Sequence, residues 1–262
     1  MRINYMSDLH LEFGGPDLEV GEGDVLILAG DVCTASSFVM RGEEKEKLMY
    51  LRFFNKCVEN YKKVFYVMGN HEHYSYFYDE TEKVLREHLP EGITLLHNQS
   101  EYYDGVHFVG ATLWTNFNNG DGATMQLAQN SMNDYHTVYK KSGMNLLTPQ
   151  ETLKENDNTV KWFNQCIPTL AQGPVVVITH HAPSPQSFNN GYREESSKPF
   201  YVNDLESFIN KNKNIKYWVH GHIHETNNYQ IGECNVVSNP RGYYKYGTNE
   251  EFLMNKTILI NS

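Results

Sequence analysis

The stretch WVHGHIHE, Trp218 to Glu225, ends an apolar run on three histidines at alternate positions. In an extended strand alternate side chains share a face, so His220, His222 and His224 could point the same way. A His-x-His pair alone is weak evidence for a metal. Its meaning depends on whether other apolar runs end in similar groups, and they do. "RINYM" runs into Ser7-Asp8-Leu9-His10, "DVLILA" into Gly30-Asp31, "KVFYVM" into Gly69-Asn70-His71-Glu72, and "PVVVIT" into His180-His181. Near-continuous Val, Ile and Leu runs of this kind predict strands buried on both faces.

Helical patterns lie between the runs. Residues 43–61 place Leu48, Leu51, Phe54, Cys57, Val58 and Tyr61 at three- and four-residue steps, which predicts a core-facing stripe. Thr148-Pro149-Gln150-Glu151 is a capping box with proline at the first helical position. The helix it starts carries Leu153, Val160, Phe163 and Ile167 on one side, and Asn203 with Glu206 opens a shorter helix through Phe208 and Ile209. Alternating strands and helices imply α/β architecture with functional groups gathered at strand ends. Two segments, 116–145 and 184–201, break the rhythm. They read as excursions over one edge of the sheets, either shaping a substrate entrance or simply surface loops. With no repeat or linker, residues 1–262 are expected to form a single domain.

The 262 residues carry a net charge of −10, which argues against a broad nucleic-acid or anionic-membrane surface. A small anionic substrate remains compatible if metal ions make the site locally positive. Cys33, Cys57, Cys166 and Cys234 are widely spaced, as expected of reduced thiols rather than of a disulfide frame. No apolar run is long enough to span a bilayer, and "MRINYMSDLH" lacks the apolar stretch of a signal peptide. The expected location is the cytoplasm, with no membrane partner.

The strand-end groups are Asp8, His10, Asp31, Asn70, His71, His180, His222 and His224. Oxygen and imidazole donors without thiolate suit Mn²⁺, Fe, Zn²⁺, Ni²⁺ or Co²⁺ rather than a structural zinc site. Eight candidates are too many for one ion and about right for two that share a ligand. In this order, D-x-H, G-D, G-N-H-E, a strand-ending His and G-H-x-H resemble the calcineurin-like metallophosphoesterase superfamily, and the resemblance spans Asp8 to His224. It implies an α/β fold of two stacked mixed β-sheets flanked by helices, a four-layer αββα sandwich. It also implies two divalent metal ions, manganese first among them. Asp8, His10 and His224 would hold one ion, and Asn70, His180 and His222 the other, with Asp31 bridging. The ligand in "THHAPS" is assigned to His180, although strand alternation would aim His181 inward if the register were shifted by one. His71 matches the family's catalytic histidine, which is not a ligand and lies beside the substrate phosphate. Asn70 and Arg241 are weaker candidates for substrate contact; Arg241 could grip phosphate bidentately or be a surface arginine.

His220 falls outside the family pattern and reads as a packing residue. His73 reads as a polar neighbour of the turn. Trp114 and Asn116 could face the substrate but fit a core Trp and a turn Asn better. Cys33 reads as a small buried thiol. The family implies hydrolysis of a phosphoester by a hydroxide held between two ions roughly 3.5–4 Å apart. The chain lacks the Asp-Arg-Gly that follows Gly-Asp in the superfamily's protein phosphatases. It is also acidic and ends soon after His224, so long DNA is not an expected partner. What remains is a small phosphoester, with a phosphodiester of nucleotide or cyclic-nucleotide type preferred. The alternatives are a phosphomonoesterase (a nucleotidase or protein phosphatase) and a metal-binding interaction module without catalysis. The oligomeric state is open.

Overall fold

The structure is a computed structural model that describes residues 1–141, 144–170, 173–188 and 195–260. Thirteen strands are formed in the described residues. They are β1 (Arg2–Met6), β2 (Gly23–Ala29), β3 (Tyr61–Val67), β4 (Ile93–Leu95), β5 (Gln99–Tyr103), β6 (Val106–Ala111) and β7 (Val175–Thr179), followed by β8 (Ile215–His220), β9 (Asn228–Ile231), β10 (Cys234–Ser238), β11 (Gly242–Tyr243), β12 (Gly247–Thr248) and β13 (Thr257–Leu259). The helices are α1 (Ser36–Val39), α2 (Glu44–Asn60), α3 (Tyr78–His88), α4 (Phe117–Gly120), α5 (Gly122–Ser131), α6 (Asp134–Thr137), α7 (Pro149–Cys166) and α8 (Glu206–Lys211).

Two mixed sheets result. One has the order β13-β1-β2-β3-β4 and the other β5-β6-β7-β8-β10-β9, while β11 and β12 form a separate hairpin. β1 to β4 run parallel, as do β6, β7, β8 and β10; antiparallel β13, β5 and β9 close the edges. The two-residue period of a strand sorts the apolar runs between layers. In the first sheet Ile3, Val25, Ile27, Phe65 and Val67 face the second, where Phe108, Val176, Ile178 and Val219 meet them. The alternate residues Met6, Leu26, Leu28, Val64 and Tyr66 face outward onto α2. On the far side Val109, Val177, Trp218 and Val236 pack against Phe163 of α7 and Ile209 of α8. The order of layers is therefore helix, sheet, sheet, helix, and the expected αββα sandwich is formed. Runs covered on both faces are apolar at most positions, which is why they show little alternation.

Two helix readings need correction. Leu48 is 63% exposed, because α2 is rotated so that Tyr50, Phe53, Phe54 and Cys57 form its buried stripe; Tyr61 already belongs to β3. Asn203 does not cap α8, which starts from Leu205. Its amide instead accepts from Asn156 Nδ2 (2.9 Å) and donates to the Trp114 carbonyl (3.3 Å). The capping box at Thr148 is present, with Glu151 accepting from the Thr148 backbone N–H (2.9 Å).

Candidate metal centre

The parallel strands of both sheets deliver the strand-end groups to one edge of the sandwich. Asp8 and His10 follow β1, Asp31 follows β2, Asn70 and His71 follow β3, His180 follows β7, and His222 and His224 follow β8. The backbone turns sharply there. Asp8, His10, Asp31, His222 and His224 all take positive φ, between 45° and 68°. A non-glycine residue in this region costs about 1–3 kcal/mol and persists only where its surroundings impose it. β8 ends at His220, so His222 and His224 come together through left-handed turns and not through strand alternation. Glycines make the approach possible. A Cβ at Gly69 would lie 2.1 Å from Asp31 Oδ1, one at Gly30 would lie 2.4 Å from His180 Nδ1, and one at Gly221 2.6 Å from Asp8 Oδ2.

Two donor clusters form and share a member. Asp8, His10, Asp31 and His224 bring one ligand atom each within 4.8 Å of one another, as do Asp31, His180 and His222. Asn70 adds its amide oxygen to the second, with Oδ1 3.0 Å from His180 Nε2. The tautomers follow from the partners. His10 Nδ1–H donates to Glu12 Oε1 (3.0 Å), leaving Nε2 with its lone pair 3.0 Å from His224 Nε2. His180 Nδ1–H donates to the Ala29 carbonyl (2.9 Å), which aims Nε2 at Asp31 Oδ2 (3.3 Å). Holding the far nitrogen of an imidazole in this way is how proteins orient metal-ligating histidines.

The residues fit a pair of cations. His222 Nε2 is buried and has no hydrogen-bond partner, an expensive state for a polar atom that a cation would relieve. Burial, reinforced by His181 and His180, holds His222 well below the usual imidazole range and so neutral. Burial also opposes charge on His180, yet Asp31 and Asp8 outweigh it and push this imidazole up to about 10. Asp31 is itself held well below the carboxylate range: burial raises it, and His180 and His71 more than reverse that. Buried carboxylates that stay ionised and stabilise a neighbouring cation this strongly are equally a site for a bound dication.

Several contacts were not legible in the sequence. Glu12 Oε1 accepts from His10 Nδ1 and also from His71 Nδ1 (2.8 Å), so one carboxylate orients both rings. Glu72 is fully buried and accepts from the backbone of Asp31 (3.0 Å), Val32 (2.7 Å) and Gly69 (2.5 Å) and from Tyr66 Oη (2.5 Å), joining the loops after β2 and β3. Tyr74 stacks on His71 with centroids 4.0 Å apart, and Tyr243 packs on His10 at 4.4 Å with its hydroxyl 3.4 Å from His71 Nε2. A Glu two residues beyond D-x-H and the Glu of G-N-H-E are visible signals in retrospect. The tyrosines are not.

A cavity of about 200 Å³ opens over these groups, lined by Asp31, Asn70, His71, His222, His224 and Tyr243 on one side. Tyr74, Tyr201, Ser131, Met132 and Asn133 complete it, so the 116–145 and 184–201 segments both supply wall; residues 189–194 of the latter lie outside the described residues. Arg241 does not line it. The arginine is buried, donates from Nη1 to the Leu9 carbonyl (3.0 Å) and lies over the Tyr244 ring. His181 packs on Trp114 and beside His222, outside the two clusters. His220 is buried between Ser187 Oγ (3.0 Å) and the Gly221 carbonyl (3.0 Å). His73 stacks on Tyr78, Trp114 is core, Asn116 caps α4, and Cys33 is buried beside Tyr66.

Stacked mixed sheets with carboxylates and imidazoles converging at their strand ends define an α/β-sandwich metalloenzyme. The profile of the calcineurin-like phosphoesterase family matches residues 1–226, and the chain belongs to that family, making it a metal-dependent phosphoester hydrolase. An uncharacterised protein of Acanthamoeba polyphaga mimivirus is 30% identical over 274 residues, covering 93% of this chain and 92% of its own. The crystal structure of phosphopantetheinyl hydrolase from Mycobacterium tuberculosis superposes with a TM-score of 0.65 at 16% identity, over 92% of this chain and 89% of that one. A putative 5′-nucleotidase from Staphylococcus aureus does so with a TM-score of 0.50 at 16% identity, over 91% of this chain and 48% of its own. At such identities the two structures share a fold with this protein.

Proposed function

We propose that this protein hydrolyses a small phosphodiester of nucleotide type, with two divalent cations, manganese foremost, held by the two clusters. Asp8, His10 and His224 would hold one, and Asn70, His180 and His222 the other, with Asp31 common to both. The observation that carries this reading is the sharing of Asp31 between two donor sets, the second of which also contains the unpaired His222 Nε2. When bound, the cations supply an activated water and charge neutralisation at the phosphoryl oxygens. The chain's own residues do the rest. Glu12 fixes His71 with Nδ1–H toward the carboxylate, so Nε2 is the nitrogen that can serve the substrate. Burial disfavours protonated His71, but Asp31 and Glu12 push it up to about 9 with no cation on Asp31. With Asp31 shared between cations, Glu12 is the partner left to hold a proton on the ring for a departing oxygen.

The diester preference rests on the cavity. At about 200 Å³ it is smaller than the roughly 300–1,000 Å³ of most ligand pockets, so it suits a phosphoryl group while the ester substituents project outward. Beyond Tyr243 stands Phe13, 5.1 Å away and 39% exposed, and next to it Tyr246, 5.9 Å away and 79% exposed. These rings offer a base or other planar group a stacking surface. Cytoplasm is the proposed location, in keeping with four free cysteines, of which three are buried. Among the described residues no helix is long and apolar enough to cross a membrane.

The test is chelation followed by reloading with Mn²⁺, Fe²⁺, Zn²⁺, Ni²⁺ or Co²⁺, with metal content and turnover measured together. The substrate panel comprises cyclic nucleotides, dinucleotides, nucleoside monophosphates, aryl mono- and diesters and a phosphopantetheinylated protein. Two ions per chain with faster diester turnover are expected. Monoester preference would replace the diester reading, and two ions without any turnover would mark a binding module.

A further inference from the structure

One residue of the 116–145 excursion reaches past the cavity wall. Asp134, first residue of α6, is buried at 2% exposure, and its Oδ1 accepts from both Asn70 Nδ2 (2.7 Å) and Tyr74 Oη (2.8 Å). A carboxylate can only accept when ionised, so it dictates which way the Asn70 amide points. Nδ2 must face Asp134, and Oδ1 is thereby turned toward His180 Nε2 and the second donor cluster. Through Tyr74 the same oxygen also steadies the ring stacked on His71, at 4.0 Å and 22°. The segment is stitched to this loop by its backbone as well. Ser75 N–H donates to the Thr137 carbonyl (3.0 Å), Tyr78 N–H to Tyr139 (2.8 Å), and Tyr139 N–H to Tyr76 (2.9 Å). Just before Asp134, Ser131, Met132 and Asn133 line the cavity.

We propose that Asp134 is a positioning residue for the phosphoester reaction, setting the amide of Asn70 as a ligand and the ring of His71 as an acid. The excursion is then a working part of the centre, since one short turn carries both cavity wall and the group that aims Asn70. Uncharged surroundings would not need a buried carboxylate here. A carboxylate buried at 2% exposure with its Oδ1 bonds spent on Asn70 and Tyr74 carries a desolvation cost that mere packing of α6 would avoid.

The inference rests on the proposed two-cation reading, and its test separates the two. Asp134→Ala, Asp134→Asn and Tyr74→Phe are compared with wild type for Mn²⁺ affinity by calorimetry, thermal midpoint, and kcat on aryl diesters with good and poor leaving groups. Asp134→Ala is expected to weaken binding of one Mn²⁺ about 10- to 100-fold, as loss of a partner behind a ligand does. Asp134→Asn keeps one carbonyl oxygen able to accept both bonds, and should restore affinity to within about threefold. Tyr74→Phe also removes a longer acceptor of Asn70 Nδ2 (3.3 Å), so it should weaken Mn²⁺ binding less than Asp134→Ala does and lower kcat chiefly for poor leaving groups. Wild-type affinity and rate in Asp134→Ala, or a folded Asp134→Asn as impaired as Asp134→Ala, would overturn the proposal. Should Asp134→Ala not fold, Tyr74→Phe decides, because equal rates on all esters would also overturn it. If wild type binds Mn²⁺ but hydrolyses nothing, the activity reading fails while the affinity series still judges Asp134.

Discussion

Replacing Glu72 by glutamine should separate the loops that carry Asp31 and Asn70. In the native chain Oε1 accepts from Val32 N–H (2.7 Å) and Tyr66 Oη (2.5 Å), and Oε2 from Asp31 N–H (3.0 Å) and Gly69 N–H (2.5 Å). Glutamine keeps one acceptor and offers an amide nitrogen in place of the other. With that nitrogen at the Oε2 position, two buried backbone N–H groups lose their acceptor. At the Oε1 position Val32 N–H loses its acceptor along with the long Cys33 N–H contact (3.4 Å), while the Tyr66 hydroxyl can rotate to accept. The second arrangement is the cheaper because the Cys33 contact is already long, and one well-bonded buried donor left without a partner costs about 1–3 kcal/mol. The carboxylate's charge adds to its remaining bonds, but burial and Asp31 raise Glu72 to about 7, so only part of that charge is present near neutrality. A total loss of about 3 kcal/mol is expected, which for a chain of this size is on the order of 10 °C in the thermal midpoint. Calorimetry on metal-free protein measures it, with metal content of the reloaded variant as the second readout. A midpoint within about 2 °C of wild type together with a full metal complement would refute the reasoning.

Gly69→Ala should also be damaging, since its Cβ would lie 2.1 Å from Asp31 Oδ1; a loss of about 1–3 kcal/mol with reduced bound metal is expected, and an unchanged metal content would count against the packing described. His71→Gln should retain metal and lose about 10²- to 10⁴-fold in rate, most on esters with poor leaving groups, whereas equal losses across leaving groups would exclude an acid role. His73 is buried and held at about 3 by burial and by His97, against an ordinary 6.5, so its neutral form favours the fold above pH 6.5. That contribution is lost as pH falls toward 3, by about 1.4 kcal/mol per unit. Metal-free His73→Phe should accordingly show a flatter fall of midpoint between pH 6.5 and 4.5 than wild type, and parallel curves would show that His73 is not held neutral.

The apolar runs were readable because each central strand is covered twice over most of its length, leaving few polar positions before the strand ends. The same rule exposed Asp8, Asp31, Asn70 and His180, the first polar side chains able to bind a cation after their strands. It gave the wrong route to His222 and His224, whose left-handed turns no strand periodicity describes. Leu48 shows the limit of a helical stripe read without its partner: rows containing Leu48 and rows containing Tyr50 both fit the period, and only the sheet under α2 decides between them. Asp134 was beyond reach because it meets Asn70 across 64 positions of sequence, through a segment with no strong periodicity of its own. Glu12 was closer to hand, two residues past His10, but its second partner His71 lies 59 positions away.

Left-handed backbone at Asp8, His10, Asp31, His222 and His224 destabilises the fold locally, and the loops keep it only because other contacts impose it. Those contacts are specific. The His222 N–H donates to Asp8 Oδ1 (2.9 Å), the His71 N–H to Asp31 Oδ1 (2.9 Å), and Glu72 gathers the Asp31 and Gly69 N–H groups. Each carboxylate assigned to a cation is thus already fixed by a backbone donor from a neighbouring strand end, and His10 and His180 are fixed by acceptors on their far nitrogens. Little rearrangement is then left for cation binding to drive, so its free energy goes into relieving the crowded acceptors and not into ordering loops. Changes at Glu12, Glu72 or Asp134, which need touch no cation, should on this logic weaken metal binding by loosening its donors.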